Sequence, residues 1–203
     1  MKVERLVLGE YEANCYILYE EVSKEAVIID PGGEGDKILS FLNKNNLKLN
    51  YILLTHGHLD HTGAIIDVIN EYVVPIYITR EDYEMMVSSK PIFGDINEEV
   101  ISNIKFLQDK DKYALGDLNI ECISTPGHSP GGMCFKLNNY IFTGDSLFKS
   151  SIGRTDFPGG DYNTLINSIK SKLFTLDKNL IVYPGHMDST TIEAEIMNNP
   201  FLR

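Results

Sequence analysis

The placement of histidine constrains this chain more than any other feature. All five His among the 203 residues lie just past a short apolar run. Tyr51–Leu54 leads into His56, His58 and His61; Ile120–Ser124 leads into Pro126-Gly127-His128; Leu180–Tyr183 leads into Pro184-Gly185-His186. Runs of this composition read as strands, so three strands deliver five imidazoles. Strand ends aimed at one edge of a sheet hold side chains rigidly while the following loops stay open to solvent. Glycines at 57, 127 and 185 suit tight turns at these exits.

Further strands are predicted at Arg5–Leu8, Cys15–Tyr19, Ala26–Ile29, Ile76–Thr79, Met133–Leu137 and Tyr140–Thr143. Between some of them the apolar spacing changes to three and four, as in Ile38-Leu39-Phe41-Leu42, Ile65-Ile66-Val68-Ile69 and Leu165-Ile166-Ile169-Leu173. That spacing predicts helices packed on sheets and an α/β class. Glu21–Lys24 and Asn138-Asn139 have hairpin-turn composition and leave no room for a helix, so the strands they join should be antiparallel. Ala26–Ile29, a helix over Asp36–Asn45 and Tyr51–Leu54 form instead a strand–helix–strand unit, which makes the sheets mixed. Ser88–Asn97 and Ser150–Gly160 read as irregular loops. With 43% hydrophobic residues and no dividing linker, one domain over residues 1–203 is expected.

Eighteen basic against 29 acidic residues give a formal net charge of −11. Scattered acidic charge of this kind keeps a protein soluble and opposes a nucleic-acid backbone, so no nucleic-acid partner is expected. No stretch approaches the ~18 apolar residues of a membrane span, and the first residues lack the pattern of an export signal. Cys15, Cys122 and Cys134 are odd in number and lack CxxC spacing. They predict buried, reduced thiols and a cytoplasmic setting.

A lone His is more often a satisfied structural residue than a ligand, and an isolated HxH is a weak signal. Here Thr55-His56-Gly57-His58-Leu59-Asp60-His61 is joined by two Gly-His turns and by Thr143-Gly144-Asp145-Ser146 after a strand. His56 and His58, two apart in an extended segment, can point the same way, and Asp60 and His61 fall where a helix begins. The pattern is that of an open, catalytic metal site. Asp30, closing a strand before Pro31-Gly32, either orients a ligand His or makes an Asx turn. Thr190 with Glu193 reads as a capping box for a last helix.

These residues resemble the metallo-β-lactamase superfamily, and within it the glyoxalase II-like (hydroxyacylglutathione hydrolase-like) proteins. The most specific segments are Thr55–His61, Thr125–Gly132, Phe142–Phe148, Gly153–Phe157 and Tyr183–His186. The resemblance implies an αβ/βα sandwich of two mixed sheets with helices on the outer faces. It also implies two divalent metal ions, with His56, His58 and His128 on the first, Asp60, His61 and His186 on the second, and Asp145 bridging. Asp60 and Asp145 are thereby the acidic residues assigned to catalysis. Imidazole and carboxylate suit zinc, with iron or manganese as alternatives.

The implied activity is hydrolysis of a small-molecule thioester by a metal-bridging hydroxide, which two close cations can supply at neutral pH. All five His are then used, so a serine triad is not expected. Arg154 falls where the family keeps a basic residue near the thiol carrier; it meets a substrate carboxylate or pairs with Asp156 or Asp161. Residues 187–203 alone follow His186, so most of the helical glutathione-binding extension of the longer glyoxalase II enzymes is expected to be missing. The best-known β-lactamases of the fold carry Cys where this chain has Asp145, which disfavours β-lactams. Gly153–Phe157 also resembles the persulfide dioxygenases, which use one iron held by two His and an Asp; that is the alternative enzyme. A non-enzymatic metal-binding module is a third reading, against which the open coordination counts.

Overall fold

The computed structural model describes residues 1–203, the side chain of Glu99 excepted. Strands β1 (Lys2–Leu8) and β2 (Ala13–Tyr19) form a hairpin in unbroken register from Lys2↔Tyr19 to Leu8↔Ala13. β2 turns into antiparallel β3 (Glu25–Ile29) through a loop that the Glu20 carboxylate closes by accepting the N–H groups of Val22 and Ser23. After α1 (Gly35–Lys44) the chain enters β4 (Lys48–Leu53), parallel to β3 as a helical crossover requires. Short helices α2 (Leu59–Thr62) and α3 (Ile65–Glu71) precede β5 (Ile76–Ile78). Helices α4 (Arg80–Val87) and α5 (Glu98–Asn103) precede β6 (Ile104–Phe106). These strands make a six-stranded sheet in the order β1-β2-β3-β4-β5-β6.

The second half opens with the antiparallel run β7 (Lys112–Leu115), β8 (Leu118–Ser124), β9 (Met133–Leu137) and β10 (Tyr140–Gly144). A small ribbon of β11 (Leu147–Phe148) and β12 (Ser151–Ile152) follows. Helix α6 (Tyr162–Ser168) continues into a π-helical turn at Ile169–Leu173 and returns the chain to β13 (Ile181–Pro184), parallel to β10. β14 (Thr190–Thr191) and α7 (Ile192–Asn198) complete the fold. The second six-stranded sheet has the order β14-β13-β10-β9-β8-β7.

Alternation along the strands builds three cores. The side chains of Tyr16, Val27, Ile29 and Leu53 meet Ile120, Cys122, Phe135 and Phe142 between the two sheets. Their neighbours Ile17, Ile28 and Ile52 point the other way, onto Ile38, Leu42, Ile65 and Val68 of the outer helices. Across the second sheet, Cys134, Ile141 and Val182 pack on Leu165, Ile169 and Ile192. The central strands read as continuous apolar runs because both faces are covered. Deleting one such side chain, as in Phe135→Ala, costs about 3–5 kcal/mol. Both sheets run their parallel strands toward the same edge, so the exits of β4, β8, β10 and β13 converge there. Among the described residues no helix is long and apolar enough to cross a membrane.

Several boundaries differ from expectation. β1 begins at Lys2 instead of Arg5 and β4 at Lys48 instead of Tyr51, because hydrogen bonding continues past the apolar run. β6, β7 and the two-residue strands β11, β12 and β14 lack a long apolar run, and α4 carries charge at Arg80, Glu81, Asp82 and Glu84. Ser150–Gly160 is not wholly irregular, since it contains β12. The predicted capping box is out by one: Thr191 caps α7 by accepting from Ala194 N, while the Thr190 hydroxyl donates to Glu195 at 2.7 Å. Both threonines pair with β13, and because the helix begins only at Ile192 the residue that caps it is Thr191.

Candidate metal centre

The five imidazoles and two carboxylates meet where the strands end. His56 and His58 lie in the extended exit of β4, and Asp60 and His61 in the single turn of α2. His128 follows β8, Asp145 follows β10 and His186 follows β13. His128 Nε2 lies 3.3 Å from His56 Nε2 and 2.9 Å from His58 Nδ1. His186 Nε2 lies 3.2 Å from Asp60 Oδ2, and His61 Nε2 lies 3.7 Å from the same oxygen. Two donor groups result, His56–His58–His128 and Asp60–His61–His186. Asp145 reaches both: Oδ1 is 3.3 Å from His61 Nε2, and Oδ2 is 3.5 Å from His128 Nε2 and 3.6 Å from His186 Nε2.

The partners on the far side of the rings decide which nitrogens face inward. His61 Nδ1 lies 3.0 Å from Asp30 Oδ2 and donates to it, leaving Nε2 aimed into the centre. His128 Nδ1 donates to the Arg154 carbonyl at 2.7 Å with the same effect. The Thr55 hydroxyl donates to Asp30 Oδ2 at 2.6 Å, so it accepts from His56 Nδ1 at 2.9 Å. Asp30 also accepts the Thr55 N–H at 2.7 Å. It therefore orients ligand rings through its side chain, although its φ of 54° is turn-like as well. A third donor group, Asp30–His56–His61, is consumed by these bonds.

Charge states follow. Burial, then neighbouring imidazoles, push the His56 pKa well below the ordinary value, and burial, then His128, bring His58 down to about 3. Both rings are neutral with free lone pairs. Burial opposes charge on His61, but Asp145 and Asp30 outweigh it and hold its pKa high. Burial likewise works against the Asp145 carboxylate, yet His61, His128 and His186 keep its pKa well below the usual range. Asp60 is lowered in the same way, by His186 and His61 against burial. Neutral His56 and His58 and the ionised carboxylates are the donor states that a cation needs, whereas His61 and His186, raised by the carboxylates against burial, must give up a proton to join them. His58 Nε2 is buried with no hydrogen-bond partner, and His61 Nε2 and Asp145 Oδ1, buried 3.3 Å apart, are not aligned for a hydrogen bond to each other, a costly arrangement unless a further group bridges them. The donor set fits two divalent ions.

Of the three glycines read as turn formers, only Gly127 has a positive φ, 131°. Gly185 is required for space, since a Cβ there would sit 2.2 Å from Asp145 Oδ1 and 2.7 Å from His61 Cε1.

Two supporting residues escaped the sequence reading. Asp82, in the first turn of α4 and wholly buried, accepts the Gly57 N–H on Oδ2 at 2.9 Å and the Gly131 N–H on Oδ1 at 2.6 Å. One carboxylate thus ties the His56–His58 exit to the loop after His128. Thr79-Arg80-Glu81-Asp82 would read as a capping box, but the Thr79 hydroxyl goes to the Gly131 carbonyl at 2.9 Å. Asn14, in β2, donates through Nδ2 to the carbonyls of Pro184 and Met187 at 2.9 Å each and clamps the turn carrying His186. An Asn within an apolar strand run is the only signal it gave.

A cleft of about 910 Å³ opens beside the centre and reaches His58, Asp60, His128, Asp145 and His186. Arg154 lines it, but Asp156 holds its guanidinium with two bonds of 3.0 and 2.7 Å, and it lies 4.2 Å over the Phe157 ring. Asp161 instead caps α6 by accepting from Thr164 N. The three cysteines are buried and free.

Comparison with known proteins places these features in context. The family model described as the metallo-beta-lactamase superfamily matches residues 8–186. The hydroxyacylglutathione hydrolase GloC of Haemophilus influenzae is 38% identical over 209 residues, covering 100% of this chain and 98% of that protein. Among solved structures, the BLEG-1 B3 metallo-beta-lactamase aligns with a TM-score of 0.86 and 34% identity, covering 99% of each chain. TTHA1623 in a di-iron-bound form aligns with a TM-score of 0.86 and 31% identity over 98% of this chain and 100% of that one. ETHE1 from Myxococcus xanthus aligns with a TM-score of 0.82 and 27% identity over 98% of this chain and 84% of that one.

Proposed function

Because the chain belongs to the metallo-β-lactamase superfamily, we propose that it is a metal-dependent hydrolase of thioesters, of the glyoxalase II type. The observation that carries the reading is Asp145, whose two oxygens lie within 3.6 Å of His61, His128 and His186 and so span both donor groups. In this reading His56, His58 and His128 would hold one ion and Asp60, His61 and His186 the other, with Asp145 within reach of both groups. When bound, two such cations supply Lewis acidity that polarises an acyl oxygen and lowers the pKa of water toward ~7.

The protein's own part is positioning. Asp30 and Thr55 fix the rings of His61 and His56, the Arg154 carbonyl fixes His128, and the cleft presents the acyl carbon to the centre. Water adds through oxygen to the acyl carbon, the C–S bond breaks, and the products are a carboxylic acid and a thiol. No serine or cysteine nucleophile is needed, and burial keeps the thiols of Cys15, Cys122 and Cys134 protonated. The thioester preference draws on the similarity to GloC. Zinc suits the ligands, and iron is the metal named for TTHA1623.

One neighbour favours a second reading. ETHE1 from Myxococcus xanthus fits the persulfide dioxygenase alternative, in which a single iron is held by two His and an Asp. Metal analysis of the purified protein, paired with free-thiol release from S-lactoylglutathione, tests both. About two metals per chain with thiol release supports the thioesterase. One iron per chain, oxygen uptake with a persulfide and no hydrolysis would replace it. A chromogenic β-lactam serves as a control substrate in view of the likeness to BLEG-1.

A further inference from the structure

The cleft is apolar around its mouth. Val7, Tyr11, Leu59, Ile92, Phe148 and Phe157 line it, and Val7, Tyr11 and Leu59 are left exposed to water. Large apolar side chains kept wet around a functional cleft mark the place where an apolar ligand is covered.

The charges in the same lining point the same way. Its cations are Arg5 and Arg154, and each already has a carboxylate of its own. Arg5 Nη1 lies 3.4 Å from Asp188 Oδ1 and donates to the Met187 carbonyl at 3.1 Å. Arg154 is gripped through two nitrogens by Asp156 and backed by Phe157. A substrate carboxylate must displace one of these partners and then sits beside the acid it displaced. The exchange trades one exposed ion pair for another and adds repulsion, so it yields little net attraction. Glu12 adds a further negative charge to the cleft, in a chain of net charge −11. Burial of an added methylene, in contrast, is worth about fourfold in affinity.

We propose that the thiol carrier recognised by this cleft is uncharged and apolar in its body, and that a carboxylate-bearing carrier such as glutathione is a poor fit. This rests on the thioesterase reading and names its substrate class. Asp156 and Asp188 then act as specificity residues, neutralising the two arginines that would otherwise attract anionic carriers.

The test compares S-butyryl-N-acetylcysteamine with S-butyrylglutathione, which share an acyl group, on metal-replete protein. The neutral carrier is expected to give a kcat/KM at least tenfold higher. Asp156→Asn combined with Asp188→Asn, both at exposed positions, is expected to raise kcat/KM for the glutathione thioester about tenfold. The neutral one should stay within twofold. Preference of the parent protein for the glutathione thioester, or a double variant that leaves the ratio unchanged, overturns the carrier assignment and leaves the thioesterase standing. Failure to release thiol from either compound overturns the thioesterase reading itself.

Discussion

Replacing Asp82 by Asn tests how the two ligand loops are held. The wild-type carboxylate accepts the Gly57 and Gly131 N–H groups at 2.9 and 2.6 Å from within the core. An amide keeps one acceptor oxygen and presents an NH₂ to the other backbone N–H, donor against donor. Losing a hydrogen bond to a charged group costs about 1.5–3 kcal/mol, and orphaning a buried N–H costs about 1–3 kcal/mol. The amide is spared the burial penalty that raises the pKa of the acid, which brings the net cost to about 2–4 kcal/mol. For a chain of this size that lowers Tm by roughly 5–15 °C. The assay is thermal unfolding of the metal-free protein followed by metal titration. Because the bond to Gly57 sets His56 and His58 against His128, affinity at the His56–His58–His128 group should fall about tenfold more than at the other. A metal-free Tm within about 2 °C of the parent would refute the hydrogen-bond reasoning, and equal weakening of both metal steps would refute the positioning role.

Three other outcomes follow from the geometry. Gly185→Ala should leave the sheets folded by circular dichroism yet abolish binding of at least one metal, because the new methyl group overlaps Asp145 Oδ1; two metals per chain in that variant would refute the contact. Stripping metal with a chelator should lower Tm with the logarithm of the free metal concentration, about 2.7 kcal/mol being lost from a state held at 100 times Kd; an unchanged Tm would mean that no ion stabilises the fold. Burial pushes the Cys122 and Cys134 thiols up to about 12 from an ordinary value near 9. The unfolded thiols therefore ionise first, and the stability this contributes is full below pH ~8.5 and is lost as pH rises toward 12. A metal-free Tm that stays flat from pH 8 to 10.5 would contradict it.

The site was more legible than the scaffold. Strand-end histidines depend on local order, apolar run then Gly and His, and so His56, His58, His61, His128 and His186 could be gathered without knowing how the sheets stack. The αβ/βα architecture came through the family resemblance, and periodicity alone stopped at α/β with mixed sheets. What stayed hidden depends on contacts remote in sequence. Asp82 has an ordinary helix-start pattern, and its role exists only because Gly57 and Gly131 are folded against it. β6 and β7 are edge strands whose exposed residues dilute the apolar signal. Thr190 and Thr191 are both competent caps, and the choice follows from where β14 ends and the helix begins, at Ile192.

Because the proposed ligands are shared between the two halves of the chain, assembly of the centre has an order in time. His56, His58, Asp60 and His61 leave the ribosome well before His186, and at about 5–20 residues per second the interval between His61 and His186 is about 6–25 s. For about the first 3–13 s of that interval, until His128 is made, the first ligand string has none of its partners. An ion taken up then has neither His128 nor Asp145 to complete its coordination, so stable loading belongs to the chain after its second sheet has docked. In a preparation of this protein, metal content is therefore also a count of the molecules that finished folding.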